Sequence, residues 1–349
     1  MYDGRPRQWV RGERASMKRV LIVGTGGIGK RHVRGLLKTG RARLWAVEPD
    51  AAKLAEVLRD YDIQEGCADV READLRAFDA AVICAPAHVH VSIGQTCADA
   101  GLPFLAEKPL AVTMEGVDRL IETVNRKGLV ARVAYIRRTS PETIEMRNQI
   151  MAGRIGDLRL CYVNCSQEYP RYRPDFQRIY YAKKETGGGA ILDAASHIFD
   201  LLQWIIGPVA EVASMYDCLQ LPTREVEDTA LLSLRFRNGC MAQININQFQ
   251  KPNVVTIEMI GTKGNLMLDM NTLKFAGDDS GRWEEQQFWA GLRPTEAHEA
   301  RFRGQADMFL DILEGKPGTL TTLEEARESL RVALAAKESY ATKRIVQLD

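Results

Sequence analysis

The patterned part of the chain opens with RVLIVG (19–24), a continuous apolar run rich in β-branched residues. Bounded by a glycine-rich turn, it predicts a buried strand. Ile28, Val33, Leu36 and Leu37 then recur at helical spacing, and Gly40 is a natural stop. LWAVE (44–48) reads as a second strand and 50–60 as a helix. DAAVICAP (79–86) reads as a strand ending in a loop, and VHVSIGQTCADAG (89–101) as a helix closed by Gly101. PFLAEKP (103–109) is another strand with its loop. Residues 113–127 read as a helix ending at Gly128, and LVARVAYI (129–136) as a further strand. Alternation of this kind implies right-handed βαβ units and a parallel sheet. Ligands on such a sheet lie beyond the carboxyl ends of the strands.

After about residue 140 the pattern changes. A helix (142–152) leads to a strand near 157–167, then to the aromatic and basic stretch YPRYRPDFQRIYYAKKETGGG. A long amphipathic helix is expected at 190–206. Strand-like runs follow at 209–216, 228–236, 240–249, 254–261 and 265–270, with short turns at Asn238–Gly239 and Lys263–Gly264, which indicates antiparallel pairing. Helices at 297–314 and 322–339 close the chain. The expected fold is therefore α/β, with a doubly wound parallel sheet over 18–140. An α+β domain over 141–349 follows, built on a large, mostly antiparallel open sheet with helices on one face. Residues 1–17 read as a flexible tail. The sheet's other face needs cover, and a second copy of the chain is the expected cover.

Composition narrows the function. The 349 residues carry a formal net charge of +1, without the basic excess that nucleic-acid binding requires. No apolar run reads as long enough to cross a bilayer, and the polar, basic N-terminus does not read as a secretory signal. Seven cysteines, an odd number without a tight framework, point to free thiols and a cytoplasmic setting. Cys161 and Cys165 read as packing residues.

Gly24-Thr25-Gly26-Gly27-Ile28-Gly29 matches G-x-G-x-x-G between a predicted strand and a predicted helix, the context that gives the pattern meaning. Gly24 allows the tight turn, Gly26 lets the backbone approach a pyrophosphate at the helix N-terminus, and Gly29 lets helix and strand pack closely. Glu48 ends the second strand, where an acid binds adenosine ribose hydroxyls and repels a 2′-phosphate. NAD is thus expected over NADP.

Lys108, in Glu107-Lys108-Pro109, sits at the end of a predicted parallel strand, placed to stabilise charge on a substrate oxygen. Asp193 and His197 stand four apart on the 190–206 helix and share a face. A histidine suits proton exchange with a hydroxyl near neutral pH. A third metal ligand would have to come from His88 or His90, so no metal is expected. Those two histidines border the expected nicotinamide pocket. His32 reads as packing, and His298 is unassigned. Tyr169, Arg171, Arg173 and Tyr180, in the aromatic and basic loop, are expected to bind substrate by stacking on sugar rings and by paired hydrogen bonds.

GTGGIG at 24–29, AEKPL at 106–110 and GGGAILDAASHIFDLLQWIIG at 187–207, in that order, resemble the Gfo/Idh/MocA oxidoreductases, the glucose–fructose oxidoreductase and inositol 2-dehydrogenase family. The resemblance spans roughly 18–345. It implies that Lys108 is the active-site lysine of the EKP motif, that Glu107 and the backbone around Gly27 and Ile28 belong to the cofactor site, and that Asp193 and His197 form the D-x-x-x-H pair. It also implies that Pro86 and His90 lie beside the nicotinamide and that dimers or tetramers form through the second sheet. The chain departs from the pattern at Ala87 and at Ala194-Ala195-Ser196. The expected activity is hydride transfer between a nicotinamide and a secondary hydroxyl or ketone of a sugar, sugar derivative or cyclitol. The alternatives are an NAD-dependent glycosidase using transient oxidation and a non-catalytic cofactor-sensing regulator.

Overall fold

A computed structural model describes residues 17–223, 225–277 and 281–349. Of the expected N-terminal tail, all but Met17 lies outside the described residues. The chain forms two compact units. The first comprises the described residues through Thr139 together with Leu292–Glu324, and the second comprises Ser140–Gly291 and Glu325–Asp349.

The first unit follows the expected alternation. Strands β1 (Lys18–Val23), β2 (Ala42–Val47), β3 (Ile63–Cys67), β4 (Ala80–Ile83), β5 (Phe104–Ala106) and β6 (Ala131–Val133) pair in parallel, in the order β6-β5-β4-β1-β2-β3. This is the doubly wound order whose reversal, between β1 and β4, creates the ligand crevice. Helices α1 (Gly27–Thr39), α2 (Ala51–Asp60), α3 (His90–Ala100) and α4 (Val117–Lys127) connect the strands. Gly40, Gly101 and Gly128 close α1, α3 and α4 in the left-handed conformation, the role such glycines serve. Asp50 caps α2, its carboxylate accepting from the amides of Ala52 and Lys53. The edge strand β3 has no sequence expectation behind it, because IQEGC buries only its two ends.

The expected division at residue 140 misses a return of the chain. Helix Pro294–Leu313 belongs to the first unit, where Ala306, Phe309 and Leu310 join Val20, Ile22, Val33 and Leu36 in one core. Arg41, just after α1, binds Asp311 at 2.9 Å and Glu314 at 3.0 Å on this helix. The strand Thr321–Thr322 then adds antiparallel to β6.

In the second unit, α5 (Pro141–Met151) precedes β7 (Leu158–Glu168), which runs into the short helix α6 (Tyr169–Tyr172). A helical segment over 190–206 follows, with α7 (Ser196–Ile206) as its regular part. Seven strands come next: β8 (Val209–Asp217), β9 (Thr229–Phe236), β10 (Met241–Asn247), β11 (Phe249–Gly261), β12 (Asn265–Asp269), β13 (Thr272–Ala276) and β14 (Glu284–Gln287). The sheet order is β14-β13-β12-β11-β7-β10-β9-β8, extended by Val346–Gln347 beside β8. Its pairs are antiparallel except β7 with β10. Strict alternation sends Leu232, Leu234, Ile244 and Ile246 to the buried face and Leu231, Ser233, Met241 and Gln243 to the open one. The closing helix Leu323–Thr342 packs along β8, where the Ser214 hydroxyl donates to the Ala336 carbonyl and Tyr216 meets Tyr340.

One segment qualifies the expectation of no membrane-length run. Lys184–Ile206 is long and apolar enough by composition, but 72% of its window is buried inside the protein, as in a core helix. All seven cysteines are free, and burial pushes the Cys97 thiol up to about 12.

The return helix is integral to the first unit's core. Phe309→Ala should cost roughly 3–5 kcal/mol, the usual range for emptying a buried phenylalanine site. Urea denaturation of the two proteins measures it, and a loss under about 1 kcal/mol would show that the helix merely rests on the unit.

Candidate active site

The glycine turn connects β1 to α1 under tight steric limits. Gly24 has φ +93°, and a Cβ there would fall 2.8 Å from the Cys84 carbonyl. A Cβ on Gly29 would fall 2.1 Å from the Gly24 carbonyl oxygen, so α1 sits directly against the end of β1. Above Gly26 and Gly27 the space is open: a Cβ on either meets nothing within 4 Å. Gly26 occupies the cap position, and no side chain caps the helix. First-turn amides without a side-chain acceptor, beside open space at a helix N-terminus, fit a pyrophosphate.

Glu48 stands at the end of β2, as expected, and is buried. Its Oε2 accepts from the Thr25 amide at 2.8 Å and the Thr25 hydroxyl at 3.0 Å, and its Oε1 accepts from the Asp50 amide at 3.2 Å. The acid thus braces the glycine turn from behind, a role beyond the expected ribose contact.

The lysine loop follows β5. Lys108 is half-buried, and its amide donates to Glu107 Oε2 at 3.0 Å. The other oxygen of Glu107 accepts from His32 Nε2 at 2.6 Å, with the side chains only 8% and 2% exposed. Burial raises the Glu107 carboxyl, but the His32 hydrogen bond and the charges of His32 and Lys108 outweigh it, and the group lies below its ordinary value of 4.5. This corrects two expectations. His32 is more than packing, and the Glu107 carboxylate turns to His32 and its neighbour's amide, which leaves it poorly placed for a cofactor. The available sequence signal was an ionisable residue on the buried stripe of α1, between Gly29 and Leu36.

His90 is buried as well, with Nδ1 2.9 Å from the Pro109 carbonyl and Nε2 2.7 Å from the Ala85 carbonyl. It ties the loop after β4 to the loop after β5, so the expected nicotinamide contact gives way to a bridging role. Burial lowers its pKa, and the two carbonyls, which favour the charged ring, offset only part of that. Pro86 and His88 are exposed on the same loop.

In the second unit the expected regular helix over 190–206 is two structures. Ala190–Ala195 is a π-turn, closed by the Ser196 amide on the Ile191 carbonyl, and only Ser196–Ile206 is α-helical. Such turns are frequent at functional sites. Asp193 lies in the π-turn and His197 in the first turn of α7, where His197 is half-buried. The segment's start is held by Glu227, whose Oε1 accepts the Ile191 amide at 2.9 Å. The Tyr180 hydroxyl donates to Asp193 Oδ1 at 3.0 Å. Although Tyr180 as a whole is 40% exposed, desolvation of its hydroxyl and the charge of Asp193 push the phenol above its ordinary value of 10.0. Glu227 is a positioning residue that the sequence reading missed, and hydrophobic periodicity contains no sign of it.

Of the four expected sugar-binding residues, Tyr169 is corrected. It is 5% exposed and stacks on Tyr181 at 4.1 Å in a small core with Phe176 and Leu221. Its ring packs inside the loop instead of facing a substrate. Arg171 and Tyr180 are exposed and Arg173 is half-buried.

The sequence carries the same division. Residues 18–135 match the oxidoreductase family with an NAD-binding Rossmann fold, and residues 143–267 match the GFO/IDH/MocA C-terminal domain. The chain belongs to the GFO/IDH/MocA oxidoreductase family. Among its relatives, myo-inositol 2-dehydrogenase of Thermotoga maritima is 25% identical over 95% of this chain and 98% of its own length. Myo-inositol dehydrogenase Hyg17 of Streptomyces leeuwenhoekii is 25% identical over 92% and 96%. The WlbA dehydrogenase from Bordetella pertussis, solved in complex with NADH and UDP-GlcNAcA, superposes with a TM-score of 0.80 at 26% identity, over 97% of this chain and 99% of that one. The first unit of this family member is thus an NAD-binding Rossmann domain.

Because the Glu107 pKa is depressed in the folded protein, its contribution to stability is complete above 4.5 and is lost as pH falls through the lower folded value. Glu107→Gln should therefore be less stable than the parent at neutral pH, and the difference should shrink below pH 4.5. Urea midpoints measured from pH 7 to pH 3 check this, and a constant difference across the range would contradict it.

Proposed function

We propose that this protein is an NAD-dependent dehydrogenase that oxidises a secondary hydroxyl of a sugar, sugar derivative or cyclitol, or reduces the matching ketone. The observation that carries this reading is the open, uncapped glycine turn beside a braced acid, in a chain that also keeps the lysine and histidine of its family's motifs. Relatives named as inositol dehydrogenases, and a neighbour holding a nucleotide sugar acid, support the substrate class.

The nicotinamide, when bound, takes or gives the hydride. The chain's own residues handle binding, the oxygen and the proton. Uncapped amides of the first turn of α1 hold the pyrophosphate, and Glu48 disfavours a 2′-phosphate by charge, which selects NAD over NADP. The Lys108 ammonium stabilises negative charge on the reacting oxygen. His197 takes the hydroxyl proton on oxidation and returns it on reduction. Asp193, fixed by Tyr180, sets the electrostatics around that proton transfer. Arg171, Arg173 and Tyr180 contribute substrate contacts from the loop.

The open face of the second sheet supports assembly. Tyr162, Leu231 and Met241 lie on it at 46%, 42% and 43% exposure, and Gln243 pairs with both Ser233 and Tyr162 between them. We propose that two copies, or two pairs, join through this face. Leu231→Glu with Met241→Glu should convert the protein to a monomer in sedimentation velocity, whereas an unchanged sedimentation coefficient would rule this face out.

Turnover is tested by incubating the purified protein with inositols, sugars, uronates and nucleotide sugars, with NAD or NADP, and following NADH absorbance. Net NADH formation separates a dehydrogenase from a hydrolase that regenerates its cofactor and from a regulator without turnover. With the responding substrate, Lys108→Ala and His197→Ala should each lower kcat by about 100-fold or more, while NADH affinity stays within about threefold. Parent-like kcat in either variant would remove that residue from the mechanism.

A further inference from the structure

The loop between β7 and the π-turn carries a positive charge without ion-pair partners. From Tyr169 to Glu185 it has five cationic side chains, Arg171, Arg173, Arg178, Lys183 and Lys184, against the two acids Asp175 and Glu185. Among the described residues none of the five meets a carboxylate, and Arg173 spends one N–H on the Tyr172 carbonyl at 2.9 Å. Glu168, just before the loop, is already engaged by Lys251 at 3.0 Å. The first two arginines stand on a fixed base. Asn253 of β11 accepts the Glu168 amide at 2.9 Å and donates to the Tyr172 hydroxyl at 2.9 Å, and Tyr169, in the same turn of helix, stacks on the buried Tyr181. The loop also reaches the motif acid. The Tyr180 hydroxyl donates to Asp193, and Asp193 and Arg173 both act by charge on the Tyr169 phenol, which places the guanidinium in the neighbourhood of that acid.

We infer that the substrate bears a carboxylate or a phosphate, and that Arg173, with Arg171, holds this group while the D-x-x-x-H pair meets the reacting hydroxyl. A guanidinium offers either anion two parallel N–H donors in a fixed fork. Like charges clustered on one short loop repel each other, and a bound anion relieves that repulsion where a neutral sugar does not. Arg178, Lys183 and Lys184, all exposed, raise the local concentration of an anion. The cofactor's pyrophosphate does not answer this demand, because in the proposed reaction the glycine turn of the first unit takes it. The inference narrows the sugar-like substrate to an acidic one. It rests on the dehydrogenase reading for the chemistry, but not for the binding.

The test compares matched ligands. Full-length protein saturated with NADH is titrated by calorimetry with glucose, galactose, mannose and N-acetylglucosamine, each as the neutral sugar, the uronate and the 1-phosphate. At least one acid should bind about tenfold or more tightly than its neutral partner, and the arm that responds, uronate or phosphate, identifies the anion. In the double variant R171A/R173A that preference should fall to within about threefold, because the fork that reads the charge is gone. Added sodium chloride should weaken the acid more than the neutral sugar. A merely structural role for the arginines predicts equal losses for both. No binding of any acid, equal binding of acid and neutral sugar, or a preference that survives in R171A/R173A would each overturn the inference. Arg173→Gln replaces the double variant, with the same outcomes, if the latter does not fold. Binding of an acid that yields no NADH when NAD replaces NADH would defeat the dehydrogenase reading and leave the anion site standing. NADH formation from neutral sugars alone would do the reverse.

Discussion

The contact of α1 with the end of β1 is the constraint on which the first unit depends. At the reversal of strand order between β1 and β4, the chain leaves the sheet and must turn at once into a helix. No Cβ fits at Gly29 against the Gly24 carbonyl, so the helix axis is fixed to within the thickness of a backbone. The direction of its first-turn amides, the space above Gly26, and the depth at which His32 enters the unit all follow from that one contact. A residue larger than glycine would shift all three together.

Buried carboxylates organise the loops on this scaffold. Glu48 binds Thr25 in the glycine turn, and Glu107 binds the lysine loop. In the second unit Glu227 holds the start of the π-turn, and the fully buried Asp228 accepts the amides of Leu219, Gln220 and Leu221. An ionised acid in an interior is costly unless several donors surround it. Each of these acids accepts at least one backbone amide from a loop or turn, and Glu107 adds the His32 ring. Burial and loop order are thereby the same requirement: the acid needs the amides, and the amides need an acceptor.

Most of the scaffold was legible because it is written in local patterns. The βα alternation, the glycines that close α1, α3 and α4, and the Asn238–Gly239 turn each need only a few adjacent residues to be recognised. The GTGGIG turn and Glu48 were legible for the same reason. What escaped depends on distant partners. A helix is expected at 297–314, but nothing in its sequence says that its apolar residues complete the core of a unit that began near residue 18. Strand β14, Glu-Glu-Gln-Gln, has no hydrophobic member and exists only because β13 offers an edge. The bond from His32 to Glu107 joins residues 75 apart, and that from Tyr180 to Asp193 crosses an irregular loop. The π-turn was hidden because Asp193 and His197 satisfy an α-helical spacing almost as well.

The loop after β7 shows how far a residue's type falls short of its role. Tyrosines and arginines together suggest a sugar-binding surface, and all four candidates looked alike in sequence. The fold divides them. Tyr169 and Tyr181 stack inward with Phe176 and Leu221, giving a long irregular segment a core of its own, as compact surface loops require. Of the four candidates, that inward packing takes Tyr169 and leaves Arg171 and Tyr180 exposed and Arg173 half-buried. The Tyr180 hydroxyl donates to Asp193, so one of the residues expected to bind substrate is tied to the acid of the D-x-x-x-H pair. In the proposed reaction this hydrogen bond would link substrate contact to the motif acid, because a ligand that displaces the Tyr180 hydroxyl also changes a partner of Asp193.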